Sequence, residues 1–213
     1  TKSLLEFTMD NKLKSILLFG QPGVGKGTQG AILGEIPGFC HLATGDMFRG
    51  LDRGSQLGKE FLKYSTQGLL VPDELTCRLW QQYVQGLINT NKYNPVTDVL
   101  LLDGIPRSVA QAEVLDAHIE VLSIIHLICD DMEEVVQRMK RRADIQNRPD
   151  DADEVVIRRR FEVYGAETKQ VLDHYDASLV HEVTAVGHPS AILMHVLQHI
   201  SPAIDGHFGN PLG

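Results

Sequence analysis

Gly20-Gln21-Pro22-Gly23-Val24-Gly25-Lys26-Gly27-Thr28 sets four glycines and one lysine directly behind an apolar run, Leu13–Phe19. Glycines there let backbone N–H groups turn inward around an anion, and a following helix adds the positive end of its dipole. Lys26 would neutralise the terminal phosphates of a nucleoside triphosphate. A second candidate lies in Leu100-Leu101-Leu102-Asp103-Gly104-Ile105-Pro106-Arg107. An aspartate at the end of a buried strand has the rigid support and exposure that a magnesium-organising carboxylate needs. Gly104 permits close approach of a ligand, and Arg107 adds a cation. The third is a basic stretch, residues 138–160, which carries eight of the 20 Lys and Arg at a net +3. Arg138 and Arg142 share one helical face, and Arg148 follows after a short polar loop. There is no GxSxG elbow and no cysteine in a nucleophile motif. Such a set suits transfer between two phosphates, because an anionic acceptor attacks without a protein base.

The loop departs from the general GxxxxGK[ST] pattern, since Gly27 follows Lys26 and Thr28 comes next. This GxPGxGKGT form resembles the nucleoside monophosphate kinases, the adenylate kinases in particular. Thr44-Gly45-Asp46-Met47-Phe48-Arg49 is similar to the family's TGDxxR segment, Gly68–Pro72 to its GxLVP segment, and Asp103–Arg107 to its DGxPR motif with Ile105 in place of Phe. The resemblance runs from Leu13 to about Ile200. It implies an ATP site of Gly23, Val24, Gly25, Lys26, Gly27 and Thr28, with Arg138 on the adenine and Arg142 on the phosphates. It implies an AMP site of Thr44, Arg49, Gly104, Arg107, Arg148 and Arg160, with the Val71 carbonyl facing the adenine amino group. Gln111 completes it, since an amide that donates and accepts matches the edge of adenine. Lys26, Arg107, Arg142, Arg148 and Arg160 would surround the moving phosphoryl group, with Asp103 on Mg2+ through water. For the last arginine, counting from Arg148 favours Arg159 and counting back from Phe161–Tyr164 favours Arg160; Arg160 is taken. The family also implies a cis Ile105–Pro106 bond. Five residues between Arg142 and Arg148 make the lid the short form, without the zinc site of the longer one.

Positioning these groups calls for an α/β domain, and short apolar runs do alternate with amphipathic stretches. Strands are expected at Leu13–Phe19, Phe39–Ala43, Val99–Leu102, Ser123–Cys129 and Ala177–Val183. Helices are expected at Lys26–Gly34, Pro72–Ile88, Val109–Glu120, Met132–Ala143, Asp153–Tyr175 and Pro189–Ile200. Asp131 and Glu134 suit a capping box, and Pro72 the first turn of its helix. The expected fold is a three-layer P-loop NTPase domain with a five-stranded parallel sheet. Its core would be 1–43, 73–140 and 152–213, with a helical AMP-binding insertion at 44–72 and a lid at 141–151.

The 213 residues are 43% hydrophobic and 23% charged, which is globular composition. A net charge of −8 argues against nucleic acid as a partner and requires local cationic sites for phosphates. No apolar run reaches the length of a membrane span, and Thr1–Lys12 lacks the pattern of a secretory leader. Cys40, Cys77 and Cys129 contain no CxxC pair, so reduced thiols in a cytoplasmic monomer are expected. The expected reaction is MgATP + AMP ⇌ 2 ADP. UMP/CMP kinase activity, or a broader monophosphate specificity, is the alternative, and a non-catalytic nucleotide sensor a remote one.

Overall fold

The computed structural model describes residues 12–146 and 151–209. Five strands, β1 (Leu13–Phe19), β2 (Phe39–Ala43), β3 (Val99–Asp103), β4 (Ile119–Ile128) and β5 (Val180–Thr184), form one sheet in the order β2-β3-β1-β4-β5. Every pairing is parallel. Strands buried on both faces can be apolar at every position, as Leu13–Phe19 and Val99–Leu102 nearly are. Leu17, Leu100 and Leu102 enter one core with Trp80 and Tyr93, while Ile16, Leu18 and Leu101 enter the other with Leu33 and Val196. Helices on both faces complete three layers.

Those helices are α1 (Lys26–Gly34), α2 (Thr44–Arg49), α3 (Gln56–Ser65), α4 (Asp73–Asn89), α5 (Val109–Leu115), α6 (Met132–Gln146), α7 (Glu154–Val163) and α8 (Pro189–Asp205). The chain leaves β1 toward β2 on one side and leaves β3 toward β4 on the other. The carboxyl ends of β1 and β3 therefore flank a crevice at a topological switch point, where α/β sheets bind ligands. Register sets Leu18 beside Asp103, so the glycine loop and the strand-end carboxylate adjoin.

Four expected boundaries are corrected. The helix from Val109 stops at Leu115, because Leu13 N–H bonds the His118 carbonyl at 2.9 Å and Ile119 already pairs with Leu13. β4 thus starts four residues before Ser123, with a register shift beside Ser15 and Ile16. Ala177–Leu179 is a 3-10 turn opened by Asp176, whose carboxylate accepts from Ser178 N–H at 2.8 Å, so β5 begins at Val180. The long helix expected over Asp153–Tyr175 breaks after α7 into a π turn, Tyr164–Thr168, and a 3-10 stretch, Lys169–His174. A π turn fits one extra residue into the ladder. Here it carries Tyr164, whose hydroxyl lies 2.9 Å from His126 Nε2, and Thr168, whose hydroxyl donates to the Arg107 carbonyl at 3.0 Å. Smaller shifts occur elsewhere: Pro72 caps α4 rather than entering it, and α6 and α8 run past Ala143 and Ile200. Asp131 caps α6 by accepting from Glu134 N–H at 3.0 Å. The Ile105–Pro106 bond is cis, and all three cysteines are buried and free.

Two helical glycines meet opposite surroundings. A Cβ on Gly58, in α3, would overlap the Asp52 carbonyl, whereas one on Gly86, in α4, meets nothing within 4 Å. Alanine ordinarily gains about 1 kcal/mol over glycine inside a helix. Gly86→Ala should therefore raise the urea midpoint of unfolding and Gly58→Ala should lower it. A rise for both would show that α3 does not pack on residue 52 as described.

Candidate active site

A cleft of about 960 Å³ opens at the carboxyl ends of the strands. One wall is the loop between β1 and α1. Gly20, Gly23 and Gly25 adopt positive φ (139°, 81° and 118°), which side-chain-bearing residues rarely do. At Gly23 a Cβ would also stand 2.5 Å from Met139 Cγ, so helix α6 presses directly on the loop. Val24 is buried beneath it, while Gly27 and Thr28 open α1 at the cleft. Lys26 turns back over the loop and donates to the Gly20 and Gln21 carbonyls at 2.5 and 3.1 Å.

Opposite stand the cations. Arg107 donates from Nε to the Gly104 carbonyl at 2.7 Å. Arg142, from the end of α6, and Arg160, from α7, converge on one carboxylate: Asp151 Oδ2 lies 2.7 Å from Arg142 Nη2 and Oδ1 2.6 Å from Arg160 Nη1. Asp151 has no exposed surface, so this bridge holds both arginines in the cleft wall. Arg159 points elsewhere, pairing with Glu162 at 2.8 Å with half of its side chain exposed. Arg138 lines the far end, held by Glu134 at 3.0 Å and by the Ala185 carbonyl at 2.9 Å. Arg148 lies outside the described residues, with the rest of 147–150.

The 44–72 segment lines another arm of the cleft wall. Arg49 reaches Asp46 at 2.6 Å, and the stacked rings of Phe48 and Phe61 (centroids 4.9 Å apart) line the arm with Val71. Thr44 sits differently from the other members. It is 2% exposed, and its hydroxyl donates to the Gly104 carbonyl at 2.8 Å, tying β2 to the turn after β3 instead of facing the cleft. Gln111 is also buried but borders the cleft, accepting from Arg107 N–H at 2.8 Å.

Concentrating so much positive charge perturbs it. Burial first, and then the charges of Arg107, Arg142 and Arg160, lower the Lys26 ammonium to about 8 against the opposing pull of Asp103. Burial and the adjoining Arg160 lower Arg107 to about 10. Burial alone would raise the Asp103 carboxyl, but the His41 imidazole, Lys26 and Arg107 outweigh it and hold it below its ordinary value. Asp103 is thus an ionised carboxylate, and a Cβ on Gly27 would lie 3.5 Å from its Oδ2. Among the described residues no three His, Cys, Asp or Glu side chains converge as a metal cage. One carboxylate facing a phosphate loop fits a magnesium ion that arrives with phosphate oxygens and waters of its own.

Two members of this site were missing from the sequence reading. His41 lies 3.8 Å from Asp103, with Gly30 and Gly34 of α1 packed on it; nothing in nine scattered histidines singled it out. Asp151 had a signal, being an acid just behind an arginine-rich stretch, where a counter-ion is needed.

The lowered Lys26 value has a direct consequence. Its charge is lost as pH rises through about 8, and a bound polyphosphate that restores the charge must take up a proton. Triphosphate affinity, measured by calorimetry, should therefore fall by up to about tenfold per pH unit above about pH 8. Affinity unchanged by pH would mean that Lys26 does not meet the anion.

Comparison with known proteins agrees with this geometry. The family model for adenylate kinase matches residues 18–180. The adenylate kinase of Kocuria rhizophila is 36% identical over 89% of this chain and 98% of its own length. That of Flavobacterium psychrophilum is 37% identical over 81% and 90%, and that of Thermus thermophilus 33% identical over 86% and 95%. With a phosphate loop, a strand-end carboxylate and converging arginines in one cleft, and relatives aligned along most of its length, the chain belongs to the adenylate kinase family.

Proposed function

We propose that this protein catalyses MgATP + AMP ⇌ 2 ADP by direct in-line phosphoryl transfer. The observation that carries the reading is a single cleft whose lining includes the glycine loop at one part, the 44–72 segment at another, and Lys26, Arg107, Arg142 and Arg160. ATP lies along the glycine loop, with its base beside Arg138 and its terminal phosphates under Lys26. AMP lies in the other arm, with Arg49 and Arg107 on its phosphate and Val71 and Gln111 at its base. Thr44 supports the turn at Gly104 from below. Magnesium carried by the triphosphate supplies charge neutralisation and orientation, and Asp103 holds it from the protein side.

The arginines act by position and charge. They favour the spread negative charge of the transition state in a cleft that is already built, at little reorganisation cost. Lys26 leaves the carbonyls of Gly20 and Gln21 for phosphate oxygens, and Arg142 and Arg160 exchange part of their contact with Asp151 in the same way. Arg148 joins them from the lid. Closure of the 44–72 and 141–151 segments over both nucleotides excludes water, which limits wasteful hydrolysis.

Two variants test the reading. Lys26→Met should fold normally by circular dichroism yet form ADP at least about 10²-fold more slowly. Near-normal turnover would remove the loop from the chemistry. Gln111→Ala should lower the preference for AMP over CMP while leaving the KM for MgATP in place. An unchanged ratio in an acceptor panel would exclude Gln111 as a base reader and reopen pyrimidine acceptors.

A further inference from the structure

The Gln111 side chain is 1% exposed, and both ends of its amide are committed. Oε1 accepts from the backbone N–H of Arg107 at 2.8 Å, and Nε2 donates to Asp73 Oδ1 at 2.7 Å. Its own backbone N–H bonds the Ser108 hydroxyl at 3.1 Å, which fixes the start of α5. A peptide N–H can only donate and a carboxylate can only accept. Turning the amide over would set two donors against each other at Arg107 and two acceptors against each other at Asp73. One orientation is therefore enforced.

What the amide has left is one lone pair on Oε1 and one hydrogen on Nε2, in a set order. The Watson–Crick edge of a 6-aminopurine presents an amino donor beside the N1 acceptor. A 6-oxopurine presents the reverse, a carbonyl acceptor beside an N1–H donor. A glutamine free to turn over can serve either edge; a locked one serves one. Val71 lines the same cleft, and its carbonyl, which can only accept, would suit an exocyclic amino group beside its long contact with the Thr76 hydroxyl. We propose that Asp73 is a specificity-determining positioning residue, which locks the Gln111 amide so that the acceptor site takes 6-aminopurine monophosphates and rejects 6-oxopurine monophosphates. The inference rests on the reading of Gln111 as a base reader. Asp73 is the first residue of α4, directly behind the 44–72 segment, so the lock joins that segment's exit to the core.

The test compares kcat/KM for AMP and for IMP, with MgATP as donor, in the full-length protein. Asp73→Leu keeps the bulk and removes the acceptor; Asp73→Asn keeps an acceptor oxygen and removes the charge. The leucine variant should lower the AMP-to-IMP ratio by about tenfold, the scale of one lost hydrogen bond to a charged group. The asparagine variant should restore most of that ratio, with the KM for MgATP constant in both. An unchanged ratio in Asp73→Leu, alongside a changed one in Gln111→Ala, overturns the lock and leaves the base reader standing. Equal losses in the leucine and asparagine variants overturn it as well, since charge at the start of α4 would then be what matters. If Gln111→Ala leaves the ratio unchanged, the base reader itself fails.

Discussion

Like charges crowded into one cleft repel, and this chain gathers Lys26, Arg107, Arg142 and Arg160 around a shared space. Two carboxylates hold the cluster together. Asp103 stands among Lys26, Arg107 and His41, and buried Asp151 joins Arg142 to Arg160. Neither carboxylate balances the whole set, and a residual demand for negative charge is what phosphate groups meet. That demand is local. The molecule around it is acidic, with 28 carboxylate side chains against 20 basic ones, so the cleft is set apart in sign from the surface that surrounds it.

Rigid elements make the crowding tolerable. Lys26 opens α1, Asp103 ends β3, and Arg142 and Arg160 belong to α6 and α7. The π turn after α7 then binds that helix to the core, through Thr168 to the Arg107 carbonyl and through Tyr164 to His126. His126 also lies 3.3 Å from Glu182 of β5. The segment that follows Arg160 is thus tied to the backbone of Arg107 by a hydrogen bond.

Much of this was legible from residue types. The glycine loop, the apolar run ending in Asp103 and the paired Arg138 and Arg142 named their own chemistry, because each needs particular residues at fixed spacing. Strands buried on both faces were visible as uninterrupted apolar runs, and Phe39–Ala43 falls where it was expected. Less legible was anything decided by long-range pairing. Residues 116–122 continue an amphipathic pattern from α5, yet hydrogen bonds to β1 draw them into β4 and its approach. The break after Val163 follows from contacts with residues 126 and 107, distant in the chain and silent in the local pattern. Thr44 belonged to a recognisable segment, but its hydroxyl satisfies backbone carbonyls at the end of β3. His41 became notable only when the sheet set β2 beside β3.

A sheet with all its strands pointing one way divides the molecule into two rims of unequal value. The cleft lies on the leading rim. The trailing rim holds the connections 35–38, 90–98, 116–118 and 176–179, which return the chain to the next strand and, apart from anchors such as buried Tyr93 and the Asp116–His174 pair, carry none of the cleft lining. A tag, a fluorophore or a fused domain placed at the exposed positions there would ride on the enzyme's back, away from the cleft.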